Sequence, residues 1–246
     1  MDKKTEILGI RFDNIGADDA AASIFCASRQ RSNTPCTVFT PNALISMSCY
    51  DDAELLRMIN SATLVLPDGT GVIGAAKRQG TRLRQRVTGI DTAEAVMAKL
   101  AAVGGSVYLL GGEQGIAEKA AAVLAKKYSG LTVLGTADGF FENEDALVNE
   151  ISRLSPDLLL VGMGFPRQEK FISNNREKLS IGAAIGVGGA LDVWAGKLRR
   201  APAVFVKLRI EWFWRMLRQP RRFLNLGRLF RYRMLTRRRF CGKNDQ

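Results

Sequence analysis

Val107-Tyr108-Leu109-Leu110-Gly111-Gly112-Glu113-Gln114-Gly115, running into the alanine-rich stretch that starts at Ile116, decides the fold class. Four consecutive apolar residues suit a strand buried on both faces. The glycines allow a tight turn, and the following apolar spacing of three and four is that of a helix. Strand, glycine turn and helix form the repeating half-unit of a parallel sheet. The turn also offers backbone N–H groups to a phosphate, with Gly111 and Gly112 as the contacting positions. The plainer alternative is a tight turn with no ligand. The spacing is not Gly-x-Gly-x-x-Gly, so the nicotinamide-binding fingerprint is not met.

Outward from this segment the same alternation recurs. Strands are predicted at 7–12, 37–40, 63–66, 107–110, 132–134, 158–161 and 183–187, with helical stretches such as 91–103, 116–128 and 144–154 between them. The expected fold is α/β: a Rossmann-like, mostly parallel sheet flanked by helices, with a basic helical C-terminal appendage. Ligands in such sheets bind beyond the carboxyl ends of the strands.

The chain has 246 residues, enough for a large domain with its own core. Its cysteines, Cys26, Cys36, Cys49 and Cys241, form no Cys-x-x-Cys pair, and no signal-peptide pattern is read at the start. A reducing, cytoplasmic setting is therefore expected. There is no histidine, which removes histidine triads, histidine metal ligands and a histidine base. No apolar run of about 18 residues is present, so no transmembrane helix is predicted.

The net charge of +12 is concentrated at one end. From Lys197 onward there are 16 Lys or Arg against Glu211 and Asp245; before it, 20 basic residues face 22 acidic ones. The chain thus reads as a near-neutral body, 1–196, and a basic appendage, 197–246. The appendage suits a polyanionic surface, either lipid headgroups or nucleic acid. Lys207, Glu211, Arg215 and Arg218 share one face of a first tail helix. In a second, after Pro220, Phe223, Leu226, Phe230 and Met234 form an apolar stripe with Arg221, Arg228, Arg231 and Arg238 opposite. Such helices fit a membrane interface. The alternative is a helix that docks its stripe on the body and leaves its arginines solvated.

Several polar motifs fall at strand ends. Thr40-Pro41-Asn42 can hydrogen-bond a ligand or cap a helix. In Leu66-Pro67-Asp68-Gly69-Thr70-Gly71 a carboxylate follows a buried strand and glycines allow close backbone approach. Partial desolvation there would bring Asp68 toward the pKa of a working base; the alternative is an Asp that organises the turn. Arg86 precedes Asp91, a candidate helix cap, and can clamp a phosphate or lie on the surface. Gln168 can bind a sugar or base, and Glu169 either joins it or sits on an exposed helix face. No Asp-x-Asp pair occurs, which favours leaving-group stabilisation by arginine and backbone N–H groups without a metal cofactor.

In order along the chain stand Thr40-Pro41-Asn42, Pro67-Asp68-Gly69-Thr70-Gly71-Val72, Arg86-Val87-Thr88-Gly89-Ile90-Asp91, Gly164-Phe165-Pro166-Arg167-Gln168-Glu169 and Gly186-Val187-Gly188-Gly189-Ala190-Leu191-Asp192. Arg200-Ala201-Pro202, Glu211-Trp212 and an arginine-rich end follow. This series resembles the WecG/TagA/CpsF family, glycosyltransferase family 26, from about Ile7 to Arg233. The resemblance implies an inverting transferase that joins N-acetylmannosamine, or its uronic acid, to N-acetylglucosaminyl-diphospho-undecaprenol in wall teichoic acid or surface polysaccharide synthesis. It implies Asp68 as catalytic base and Thr40 as its polar partner. Asn42, Arg86, Gly111, Gly112, Gln168 and Glu169, with Arg215 and Arg222 of the tail, become the substrate-binding positions. The implied partners are a UDP-sugar donor, the polyprenyl-diphosphate-linked acceptor and an anionic membrane surface on the cytoplasmic side, with self-association through an apolar tail face and no nucleic acid.

Three other readings stand beside it: UDP-glucose or UDP-glucuronate as donor, a nucleic-acid-binding protein acting through its tail, and a nicotinamide oxidoreductase. The nucleic-acid reading leaves the ordered strand-end motifs without a role.

Overall fold

The computed structural model describes residues 4–30, 32, 34–198 and 225–241, with side chains as far as 237. Six strands, β3 (Cys36–Phe39), β4 (Leu64–Val65), β5 (Ser106–Gly111), β6 (Thr132–Ala137), β7 (Leu158–Gly162) and β8 (Ala183–Gly186), form a sheet in the order β4-β3-β8-β7-β5-β6. Every pairing in it is parallel. The expected α/β class is therefore the observed one.

The two-residue period of a strand builds two cores at once. Tyr108, Leu110, Leu159, Val161 and Ala184 face one layer. Val107, Leu109, Leu158, Leu160 and Ile185 face the other. The first layer holds α2 (Ala43–Asp51), α3 (Ala53–Asn60), α4 (Thr70–Arg78), α7 (Glu144–Leu154) and α8 (Arg167–Asn174). The second holds α1 (Ala17–Gln30), α5 (Gly89–Ala101), α6 (Ile116–Lys127) and α9 (Ala190–Trp194).

The first predicted strand is corrected. Residues 7–12 are not one strand but the centre of an antiparallel hairpin, β1 (Lys4–Ile7) and β2 (Ile10–Asp13), outside the main sheet. Leu8 and Gly9 turn it, with φ of 51° and 85°. A leucine rarely adopts that conformation; burial of its side chain to 2% exposure offsets the strain. Gly9 is a local turn signal, but one glycine within an apolar run also fits an unbroken strand, so the sequence alone did not decide between them.

From the tail, α10 (Leu226–Cys241) lies against α2 and α4. The docked face is not the predicted stripe. Tyr232 and Thr236 are buried, and Leu229 and Leu235 are partly buried against the core. Leu226, Phe230 and Met234 of the stripe are exposed. Arg228 and Arg231 are not wholly given to solvent either: Arg228 donates to Ser48 and Arg231 pairs with Asp51 at 2.8 Å. The first tail helix, including Arg215, and the positions Arg221, Arg222, Phe223 and Arg238 lie outside the described residues or side chains. Among the described residues no helix is long and apolar enough to cross a membrane.

Candidate active site

β3 and β8 are neighbours in the sheet, yet the chain leaves β3 for α2 in one layer and leaves β8 for α9 in the other. Divergent exits make this the switch point of the sheet, where a ligand crevice is expected. Thr40 is the first residue beyond β3 and lies at this switch point. A Cβ on Gly89 would come within 3.1 Å of Thr40 Oγ1 and 3.3 Å of the Gly186 carbonyl oxygen. The start of α5 therefore rests directly on the ends of β3 and β8, and an added side chain would have to push Thr40 or the Gly186 carbonyl aside by a few tenths of an ångström.

Backbone hydrogen bonds lock the neighbouring loops. Leu66 N–H donates to the Phe39 carbonyl at 2.8 Å, Asp68 N–H to Pro41 at 3.4 Å and Val87 N–H to Pro67 at 2.9 Å. The segment after β4 is thus held on one side by the Thr40-Pro41-Asn42 loop and on the other by the approach to α5. This clamp brings together two residues that the sequence separates by 18 positions: Arg86 Nε stands 3.8 Å from Asp68 Oδ1. Both side chains are about a quarter exposed, at 22% and 27%, so the pair opens toward solvent. Each side chain is thus partly accessible to a ligand from solvent.

Asn42 has the capping role. Its Oδ1 accepts from Leu44 N–H at 2.9 Å and Ile45 N–H at 3.2 Å, starting α2. Its amide nitrogen takes no part in the cap. For α5 the cap is Thr88, not Asp91: Thr88 Oγ1 accepts from Asp91 N–H and donates to the Asp91 carboxylate at 2.6 Å. The Asp91 carboxylate thus braces the capping hydroxyl and does not occupy the cap position itself.

Gln168 and Glu169 begin α8 and are 5% and 2% exposed. Gln168 Oε1 accepts from Gly188 N–H at 2.9 Å, and its Nε2 donates to Glu169 Oε1 at 2.9 Å. The Gln168 amide lies against Gly186, where a Cβ would fall 2.8 Å from Nε2. Gln168 thus backs the β8 end of the crevice, and Glu169 lies beneath it instead of on an exposed helix face. Burial pushes the Glu169 carboxyl up to about 7, although the hydrogen bonds it accepts from Gln168 and from its own backbone N–H pull the other way.

At the far side of the sheet, Gly111 and Gly112 make the predicted turn with φ of 132° and 76°. Gly112 N–H donates to Gly162 at 3.1 Å, and Gly139 N–H donates to Gly112 at 2.9 Å. Three strand-end loops therefore meet at this turn. The same region carries a feature that composition could not disclose. Phe140 is 67% exposed, and the Arg167 guanidinium sits 5.5 Å from its ring centre while donating to the Gly139 carbonyl at 2.6 Å. Nothing in Gly139-Phe140-Phe141 says which ring is buried: Phe141 packs on Phe171 in the core, while Phe140 faces outward.

The tail helix flanks the site. The Tyr232 ring lies 4.0 Å from where a Cβ of Gly71 would stand, beside Ser46. Arg78 Nη2 donates to Thr236 Oγ1 at 2.8 Å. The helices α2 and α4 that α10 grips are those that begin just after Asn42 and Asp68.

The family model described as "Glycosyl transferase WecG/TagA/CpsF family" matches residues 5–241. A relative from Staphylococcus aureus (strain MW2), named N-acetylglucosaminyldiphosphoundecaprenol N-acetyl-beta-D-mannosaminyltransferase, is 34% identical over 228 residues, 92% of this chain and 88% of the relative. A relative of the same name from Bacillus subtilis (strain 168) is 28% identical over 195 residues, 79% of this chain and 76% of its own length. The strand-end loops with Asp68, Arg86, Thr40 and Gln168 fall within the matched span, and the chain belongs to the WecG/TagA/CpsF family of glycosyltransferases.

Proposed function

We propose that this glycosyltransferase moves N-acetylmannosamine from UDP-N-acetylmannosamine to the 4-hydroxyl of N-acetylglucosaminyl-diphospho-undecaprenol, inverting the anomeric centre. The names of the relatives support the sugar and the acceptor. The observation that carries the reading is the Asp68–Arg86 pair, solvent-open and clamped beside Thr40 at the strand ends.

Asp68, as a carboxylate, accepts the proton of the acceptor hydroxyl while that oxygen attacks the anomeric carbon. The new C–O bond forms as the bond to the UDP oxygen breaks, and UDP leaves with the electron pair. Attack opposite the leaving group gives the β-1,4 linkage. Arg86 and the turn of residues 111–115 stabilise the charge that builds on the diphosphate. Thr40 and the Asn42 amide nitrogen orient the sugars. Arg215 and Arg222 of the tail meet the diphosphate groups. The reading needs no metal cofactor, in keeping with a sequence that has no Asp-x-Asp pair.

Residues 197–246 act as the appendage that holds the enzyme on the cytoplasmic face of an anionic membrane, where its lipid-linked acceptor resides. The outward side of α10 supports this: Leu226, Phe230 and Met234 stand exposed beside Arg233 and Arg237. The test is a screen of UDP-sugars against a lipid-linked N-acetylglucosamine acceptor, read by mass spectrometry. Transfer of N-acetylmannosamine supports the reading. Transfer only of the uronic acid, glucose or glucuronic acid replaces the donor, and no transfer from any donor sinks it.

A further inference from the structure

Glu169 is a buried acid whose presence the fold does not explain. Its Oε1 accepts from the Gln168 amide, but its Oε2 is buried with no hydrogen-bond partner among the described residues. A half-satisfied carboxyl in an apolar layer costs stability. Cys49, the titratable group facing it from α2, offers no charge in return, because burial pushes its thiol up to about 12. An apolar residue or a glutamine would fill the same volume at lower cost.

What the carboxylate does supply is direction. Ionised above about pH 7, it can only accept, which turns the Gln168 NH2 toward Glu169. Gly188 N–H, which can only donate, selects the same orientation from the other side, meeting the Gln168 carbonyl oxygen at 2.9 Å. A flipped amide would set oxygen against carboxylate and NH2 against N–H, replacing two hydrogen bonds by two repulsions. Gly188 lies two residues past Gly186, whose carbonyl packs with Thr40 and Gly89 at the crevice floor. We propose that Glu169 is a positioning residue for sugar transfer: it locks the Gln168 amide in one orientation, and the locked amide holds the β8 turn that forms the crevice wall beside Thr40. The inference rests on the transferase reading above.

The test compares transfer and thermal unfolding at pH 8 for four chains: wild type, Glu169→Gln, Gln168→Ala and the double variant. Glu169→Gln keeps the shape but can donate as well as accept, so only Gly188 N–H is left to orient the neighbouring amide. The expected result is a loss of about 10-fold or more in kcat/KM, the scale on which misplaced groups slow an enzyme, with Tm unchanged or raised. In the Gln168→Ala background Glu169→Gln should cause no further loss, because its effect runs through Gln168. Glu169→Asp, which keeps the charge but opens a gap, should show the reverse pattern: more transfer than Glu169→Gln at a lower Tm. Wild-type kcat/KM in Glu169→Gln, a loss that tracks a fall in Tm, additive losses in the double variant, or Glu169→Asp no more active than Glu169→Gln would each overturn the proposal. Those outcomes require a wild-type chain that transfers sugar; a wild type inactive with every donor sinks the transferase reading and this inference with it.

Discussion

Arg86 Nε lies 3.8 Å from Asp68 Oδ1, although the two belong to separate loops, because Val87 N–H is bonded to the Pro67 carbonyl. One backbone hydrogen bond between the residues that follow and precede them sets the distance between a carboxylate and a guanidinium.

Replacement of Asp68 by Asn removes the proton acceptor while keeping the shape. Transfer should fall by roughly 100- to 10,000-fold, the range typical of a lost general base. UDP binding, measured by calorimetry, should change little. Near-normal turnover would remove Asp68 from the reaction.

Arg86→Gln should weaken stabilisation of the leaving diphosphate. The expected loss is about 100-fold in kcat, similar to removal of one electrostatic contact to a developing charge. Arg86→Lys should recover only part of it, since an ammonium lacks the planar fork. Equal activity of the Lys and Gln variants would show that charge at this position does not matter.

The Glu169 carboxyl gives stability a definite pH dependence. Its folded value of about 7 is above the ordinary 4.5, so the folded chain holds this proton more tightly than the unfolded one. Stability therefore falls as pH rises from about 4.5 through about 7, by an amount on the order of 3 kcal/mol once the window is crossed. Glu169→Gln lacks this group. Urea unfolding should show its advantage over wild type growing between pH 5 and pH 8; a constant gap would contradict the buried-acid assignment.

Gly111 should tolerate no side chain. Its φ is 132°, and an added Cβ would collide with the backbone of Gly162 on β7. Gly111→Ala should cost about 3 kcal/mol or more, by strain and steric overlap together. Gly115→Ala, also at positive φ but with open space around it, should cost less. Comparable Tm losses for the two would argue against the packing account.

The outward face of α10 should contact lipid. Changing Phe230 and Met234 to Ser leaves the docked residues Tyr232 and Thr236 untouched. Binding to vesicles containing phosphatidylglycerol should fall by about 10-fold or more, given about 1.5 kcal/mol or more for each large apolar side chain buried. Turnover of a short-chain, water-dispersed acceptor should be preserved. Unchanged vesicle binding would assign the membrane contact to another surface.

The sequence by itself determined the alternation of strand and helix, because apolar runs and glycine turns are local signals with fixed periods. It also placed Asp68, Thr40 and Gln168 beyond the ends of buried runs, and Arg86 at the approach to a helix, from local patterning alone. It did not decide the break at Leu8-Gly9, because one glycine within an apolar run fits a turn or an unbroken strand, and the burial of Leu8 favours the turn. Nor did it separate exposed Phe140 from Phe141, which packs against the core, or the docked face of α10 from its exposed stripe; both depend on what packs alongside. Only the tertiary structure decided that Gln168 and Glu169 form a buried couple and that Arg86 faces Asp68. Those relationships are made across strands and loops distant in the chain, where hydrogen bonds and packing, not local periodicity, set the geometry.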